Sequence, residues 1–277
     1  MKKSLAPNHF ISIAHLTDTH LFAESDRLLV GIPTDGSFKA VLAEVKQTLP
    51  NVDLLLLTGD LSQDGSVESY QRMRNILDSY QIPAYCLAGN HDNLAVMQKH
   101  LPSEYVSLAR SLNIGNWKII LLNSVVTQAV EGYLAKSELI WLEEQLNSER
   151  DRPTLIAFHH PAVAIGSPWM DSICLTNQDQ FWETGDRHPQ IKIVINGHAH
   201  QDFDQIHQTL HDSVRCLVSP STCVQFRPQT PTFQVDELAP AFRHLRLYAD
   251  GSIHTEIHRL KSGQFSPDLQ AAKYNND

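Results

Sequence analysis

The sequence predicts an α/β fold with a layered sheet core, and three features carry the prediction. Short apolar runs of strand length alternate with spans whose apolar residues recur at helical spacing. One run, Val52-Asp53-Leu54-Leu55-Leu56-Leu57, is nearly continuous, as expected of a strand covered on both faces. The last third changes character and reads as antiparallel, with Asp250-Gly251 as a hairpin turn.

Taken in order, Phe10 to Leu16 is a strand that ends in Thr17-Asp18-Thr19-His20. Phe38, Val41, Leu42, Val45 and Leu49 mark an amphipathic helix from Ser37 to Leu49. The Val52–Leu57 strand ends in Thr58-Gly59-Asp60, and a helix follows from Val67 to Tyr80. Ile82 to Leu87 is a strand ending in Ala88-Gly89-Asn90-His91-Asp92, where the glycine is expected to allow a sharp turn, and a helix starts at Asn93. Trp117 to Leu122 is a strand, and Ser137 to Asn147 a helix with Ser137 as its N-cap. Thr154 to Phe158 leads to His159-His160-Pro161. Residues 162–190 read as irregular, with a short helix near Asp179 to Glu183. Ile191 to Ile195 leads to Asn196-Gly197-His198-Ala199-His200, and strands follow at 215–219, 242–249 and 253–258. Residues 1–277 read as a single domain, with a loose polar tail from about Lys261.

Composition narrows the function. With 42% hydrophobic and 19% charged residues the chain can bury a large core. Its net charge of −9 and lack of a basic stripe argue against long DNA or RNA as a partner. Four cysteines without CxxC spacing point to free thiols in a reducing compartment. Met1-Lys2-Lys3 is followed by no apolar h-region, and no run is long enough to span a membrane, so the expected location is the cytoplasm.

What distinguishes the sequence is where its polar clusters fall. Asp18 and His20, Asp60, Asn90 and His91, His159, and His198 and His200 each follow an apolar run directly. In an open α/β sheet, ligands bind at the carboxyl ends of strands. Alone, each cluster reads as a turn or a hydrogen-bonded pair; together they point to one rim. Imidazole, carboxylate and carboxamide without thiolate suit Mn, Fe, Co, Ni or Zn. Seven ligands exceed one ion's coordination and suit two ions ~3.5–4 Å apart that share a carboxylate, for which Asp60 is the best candidate. Two divalent ions outweigh Asp18, Asp60 and a bridging hydroxide, and the net positive site favours a phosphodiester with its single negative charge.

Asp18-Thr19-His20, Gly59-Asp60, Gly89-Asn90-His91-Asp92, His159-His160-Pro161 and Gly197-His198-Ala199-His200 together resemble the five motifs of the calcineurin-like metallophosphoesterase superfamily. Three segments, residues 17–22, 59–64 and 220–226, resemble more closely the bacterial class III 3′,5′-cyclic-nucleotide phosphodiesterases. The resemblance implies a four-layer α/β/β/α sandwich and iron or manganese ions. It implies Asp18, His20, Asp60 and His200 on one ion, and Asp60, Asn90, His159 and His198 on the other. It gives the ligand role to His159 rather than His160, and the short Ala162–Gln190 segment leaves little room for a large lid or dimerising cap.

The activity implied is hydrolysis of 3′,5′-cyclic AMP to AMP by a metal-activated hydroxide. Catalysis falls to Asp60, Asn90 and His91, with His20 and His200 also facing substrate. His91 is expected to stabilise the phosphoryl charge or protonate the departing O3′, oriented by Asp64 or Asp92. Trp169 and Phe226 could stack on a purine or simply pack. Another small diester, such as a glycerophosphodiester or a 2′,3′-cyclic nucleotide, is the alternative, and a non-catalytic scaffold the third reading. The partner is a small molecule rather than a membrane, and the chain a monomer or small homo-oligomer.

Overall fold

The computed structural model describes residues 10–270. The basic start and the end of the polar tail lie outside these residues. Two six-stranded sheets form the centre. The first runs, edge to edge, Ile253–Arg259, Ala241–Tyr248, Phe10–Leu16, Leu54–Thr58, Ala84–Leu87 and Val106–Ser107. The second runs Phe203–Gln208, Ser213–Val218, Ile191–Asn196, Thr154–Ala157, Trp117–Leu121 and Ser111–Ile114.

Alternation along each strand builds the layers, because successive side chains point to opposite faces. Ile11, Ile13, Leu54, Leu56 and Leu87 turn inward to meet Trp117, Ile119, Leu155, Ile193 and Ile195 of the other sheet. Ala14, Leu16, Leu55 and Leu57 turn outward onto Phe38, Val41, Leu42, Met73 and Leu77. Those last five lie on helices Thr34–Thr48 and Val67–Tyr80. On the far side, Ile120, Ile156 and Val194 pack against Leu142, Leu146, Phe181 and Trp182, which come from helices Lys136–Ser148 and Gln178–Gly185. The order is helix, sheet, sheet, helix, as the resemblance implies.

Polar contacts join the sheets where the apolar layer ends. The Trp117 indole donates across the gap to the Tyr248 carbonyl at 2.7 Å. Near the opposite end, the buried His15 ring lies 2.7 Å from both the Thr58 and the Ser219 hydroxyls. Buried Arg243 donates to the Ser219 hydroxyl and the Val218 carbonyl. The strands that carry the polar clusters are parallel within each sheet, so their carboxyl ends coincide.

Several local expectations change. The Lys136–Ser148 helix begins before Ser137, with Ala135 at the cap and its carbonyl accepting from Glu138 and Leu139. Residues 162–190 contain a second short helix, Pro168–Asp171, with proline in its first turn. The last third is not one antiparallel unit. Ser213–Val218 pairs parallel with Ile191–Asn196, and antiparallel with a strand, Phe203–Gln208, whose polar pattern gave no apolar run to read. The Ala241–Tyr248 and Ile253–Arg259 hairpin joins the first sheet instead, beside Phe10–Leu16. In the polar C-terminal segment, Phe265 packs on the core beside the first helix layer. All four cysteines are buried and free.

The inter-sheet layer should dominate stability. Leu56→Ala, at a fully buried position, is expected to cost about 2–5 kcal/mol in chemical denaturation. Leu210→Ala, at a residue 76% exposed, should stay within about 0.5 kcal/mol of the parent. Equal effects of the two would contradict this account of the core.

Candidate metal centre

Five strands deliver the polar clusters to one rim, and the backbone there is strained. Asp18, His20, Asp60, His198 and His200 all have left-handed φ values, between 49° and 69°. For non-glycine residues such a conformation costs roughly 1–3 kcal/mol each and persists only where neighbours enforce it. The enforcement is visible: Asp18 N–H donates to the Gly59 carbonyl and His20 N–H to that of Asp60. The Asp18 carboxylate accepts the His198 N–H at 3.1 Å, tying one sheet's rim to the other's. Gly59 takes the turn, with φ at 96°. The glycine that the sequence suggested for this role, Gly89, instead answers a close approach. A Cβ there would lie 2.2 Å from Asp60 Oδ1 and 2.4 Å from the Asp60 nitrogen.

The side chains converge. His20 Nε2 lies 3.1 Å from His200 Nε2, which lies 3.3 Å from Asp18 Oδ1. His159 Nε2 lies 3.1 Å from Asn90 Oδ1, 3.3 Å from Asp60 Oδ2 and 3.3 Å from His198 Nδ1. Asp60 Oδ2 is also 3.9 Å from His20 Nε2, so one carboxylate oxygen borders both groups. The structure brings together all seven side chains named as ligands.

These contacts cannot be ordinary hydrogen bonds throughout. His20 Nδ1 donates to Gln63 Oε1 at 2.6 Å, and His200 Nδ1 donates to the Val224 carbonyl at 2.7 Å. His159 Nδ1 donates to the Thr58 carbonyl at 2.8 Å. A neutral imidazole has one N–H, so the Nε2 atoms of His20 and His200 then present lone pairs to each other and to Asp18. Fixing one ring nitrogen by a neighbouring acceptor is how ligating histidines are oriented. Donors about 2.1 Å from an ion and at right angles to each other lie about 3.0 Å apart, near the spacings seen. A cation fits this donor set, and three overlapping groups of buried Asp and His side chains could hold one.

Electrostatics agree. Burial opposes charge on Asp60, yet His159, His91 and His20 hold its carboxyl well below the usual range. Asp18 is lowered against the same burial by His200 and His159. Burial pushes His20 down to about 3 and His198 well below the usual imidazole range. Burial would lower His159 too, but the Asp60 and Asp18 carboxylates outweigh it and lift the ring to about 9. Without an ion, that ring keeps the proton a bound cation would displace.

His160 turns away: its Nδ1 lies 2.8 Å from the Ser124 hydroxyl and its Nε2 donates to the Val130 carbonyl. His91 stands exposed at the rim, its ring 5.1 Å from that of His20 and its N–H donating to Asp60 Oδ1. Neither expected orienting carboxylate reaches its ring. Asp92 is buried and accepts from the backbones of Leu61, Ser62 and Gly89 and from the Tyr70 hydroxyl. Asp64 accepts from Ala23, Ser62 and Ser66. Both carboxylates shape loops. Among the described residues the His91 ring forms no hydrogen bond.

Sequence reasoning missed the supports. Gln63 orients His20, and its place three residues after Asp60 was the available signal. The 220–226 segment, which the sequence marks by its resemblance and by Phe226, supplies the Val224 carbonyl for His200. In the same segment the Ser221 hydroxyl donates to the Asp18 carbonyl. A cavity of about 150 Å³ adjoins the centre, lined by His20, His91 and His200 with Leu29, Phe226 and Phe233. Phe226 stacks on His200 with centroids 4.0 Å apart, whereas Trp169 packs edge-on against Phe226 and Phe233.

Residues 11–202, which include all seven side chains, match the calcineurin-like phosphoesterase family. The chain is 46% identical to a 3′,5′-cyclic-nucleotide phosphodiesterase of a Nostoc species, over 90% of this chain and 92% of that relative. It is 40% identical to the 3′,5′-cyclic adenosine monophosphate phosphodiesterase CpdA of Pseudomonas aeruginosa, over 95% of each. A purple acid phosphatase from yellow lupin seeds shares the fold at a TM-score of 0.66 and 12% identity, over 94% of this chain and 53% of that one. A dimetal phosphatase from Danio rerio does so at 0.58 and 14%, over 91% and 99%. The chain belongs to the calcineurin-like phosphoesterase family.

Proposed function

We propose that this protein hydrolyses 3′,5′-cyclic AMP to 5′-AMP at a dinuclear metal centre, with iron or manganese as the resident ions. The observation that carries the reading is the convergence of buried histidine nitrogens with carboxylate and carboxamide oxygens at 3.1–3.3 Å, Asp60 lying between the two groups. Asp18, His20, Asp60 and His200 would hold one ion, and Asp60, Asn90, His159 and His198 the other. The names of the relatives support the choice of substrate.

When bound, two such ions polarise phosphoryl oxygens and make water acidic near neutral pH. The chain's own residues do the rest. Asp18 and Asp60 are the two carboxylates among the seven donors, so the loaded site stays positive and attracts a singly charged diester. Asn90 turns its oxygen toward His159, which leaves its amide N–H groups to donate to a phosphoryl oxygen. His91, exposed at the cavity mouth, is placed to stabilise phosphoryl charge and to donate a proton to the departing O3′. His20 and His200 line the same cavity and face the substrate.

The chain is read as one domain, a monomer or small homo-oligomer, acting in the cytoplasm. Supporting this, all four cysteines are free and buried, and no helix among the described residues is long and apolar enough to cross a membrane.

The test is hydrolysis of cyclic AMP, cyclic GMP, 2′,3′-cyclic AMP and a bis-ester dye by protein stripped with chelator and then reloaded with Mn²⁺ or Fe²⁺. Cyclic AMP should be cleaved fastest, to 5′-AMP, only after reloading. Rapid dye cleavage beside intact cyclic nucleotides would contradict the substrate, and full activity in stripped protein would contradict the centre. His91→Ala should keep both ions by metal analysis while kcat falls about 10²–10⁴-fold. Unchanged turnover in that variant would remove His91 from the chemistry.

A further inference from the structure

We propose that the C-terminal hairpin carries a separate binding site for a divalent cation of the zinc class, formed by His244, Glu256 and His258. His244 stands opposite Glu256, and Phe242 opposite His258, on the paired strands Ala241–Tyr248 and Ile253–Arg259. Their neighbours Leu245 and Leu247 point into the layer between the sheets, so alternation sends this trio to the other face. His244 pairs across the sheet with Ala14, four residues before Asp18.

The geometry suits a tetrahedral ion. His244 Nδ1 lies 3.2 Å from Glu256 Oε1, and His258 Nε2 lies 3.5 Å from the same oxygen. All three donor atoms fall within 4.8 Å of one another. Donors about 2.0–2.1 Å from a tetrahedral zinc lie about 3.3 Å apart, and two histidines with one glutamate form an established zinc donor set. His258 Nε2 is buried and forms no hydrogen bond, a cost that a bound ion would remove.

The rings are held for the purpose. His258 stacks on Phe242 with centroids 4.8 Å apart and planes 9° apart. His244 Nε2 lies 2.9 Å from the Ser12 hydroxyl, an oxygen able to accept the ring proton when an ion takes the Nδ1 lone pair. The Glu256 side chain is 39% exposed and provides the way in.

Arg246 opposes a cation, since its guanidinium contacts Glu256 Oε1. The Arg246 side chain is 29% exposed and has room to swing into solvent, so an ion would exchange with it. Once bound, the ion would tie the two outermost strands of the first sheet side chain to side chain and raise the melting temperature.

The test is equilibrium dialysis of stripped, full-length protein against Zn²⁺ alone, with metal analysis. The parent should bind one equivalent more than Glu256→Gln and His258→Ala, each of which should weaken that equivalent tenfold or more. Arg246→Gln should retain it and tighten it about tenfold by removing a like charge. These differences are read against the parent, so they stand or fall independently of the catalytic centre. Equal zinc content in the parent and in Glu256→Gln, or no tightening in Arg246→Gln, would overturn the proposal.

Discussion

The arrangement on which the rest depends is electrostatic. Three imidazoles are each tied at Nδ1 to an oxygen, which leaves the Nε2 atoms of His20 and His200 nothing to donate, and the Nε2 atoms of all three are pressed against other ring nitrogens and carboxylate oxygens. A buried polar group without a partner is costly, and buried charge more so. A protein that buries Asp60 3.3 Å from His159 and Asp18 3.3 Å from His200 has built a place for positive charge. The left-handed backbone at Asp18, His20, Asp60, His198 and His200 is the conformational cost of aiming them.

The fold exists in service of that rim. Two sheets packed through an apolar layer fix five strand ends relative to one another, and polar pins at His15 and Arg243 fix the ends nearest the site. Loops then need only two to four residues to reach the centre. Close backbone approach at Gly89 leaves no room for a side chain opposite Asp60.

Most of this was legible because apolar runs and the polar residues after them are local features. The strands that end at Asp18, Asp60, Asn90, His159 and His198 were read within a residue or two of where they lie. The Val67–Tyr80 helix has the bounds read for it. What failed depended on partners far along the chain. Phe203–Gln208 is an edge strand with little apolar content, so only its pairing with Ser213–Val218 makes it visible. The pairing of the C-terminal hairpin with Phe10–Leu16 joins the two ends of the sequence, which no local pattern announces. Asp92 looked like a partner for His91 because they are adjacent, but its carboxylate is spent on the backbone of the Asp60 loop. The supports from Gln63 and Val224 were hidden for the same reason: orienting acceptors can be any oxygen, including a carbonyl that carries no sequence signal.

The central claim is that the crowded donors exist to hold two cations that share Asp60. Anomalous diffraction from crystals of Mn²⁺-loaded protein tests it directly. The account predicts two strong peaks ~3.5–4 Å apart on either side of the Asp60 carboxylate, one toward His20 and His200 and one toward His159 and His198. A single peak, or no peak within reach of Asp60, would contradict it.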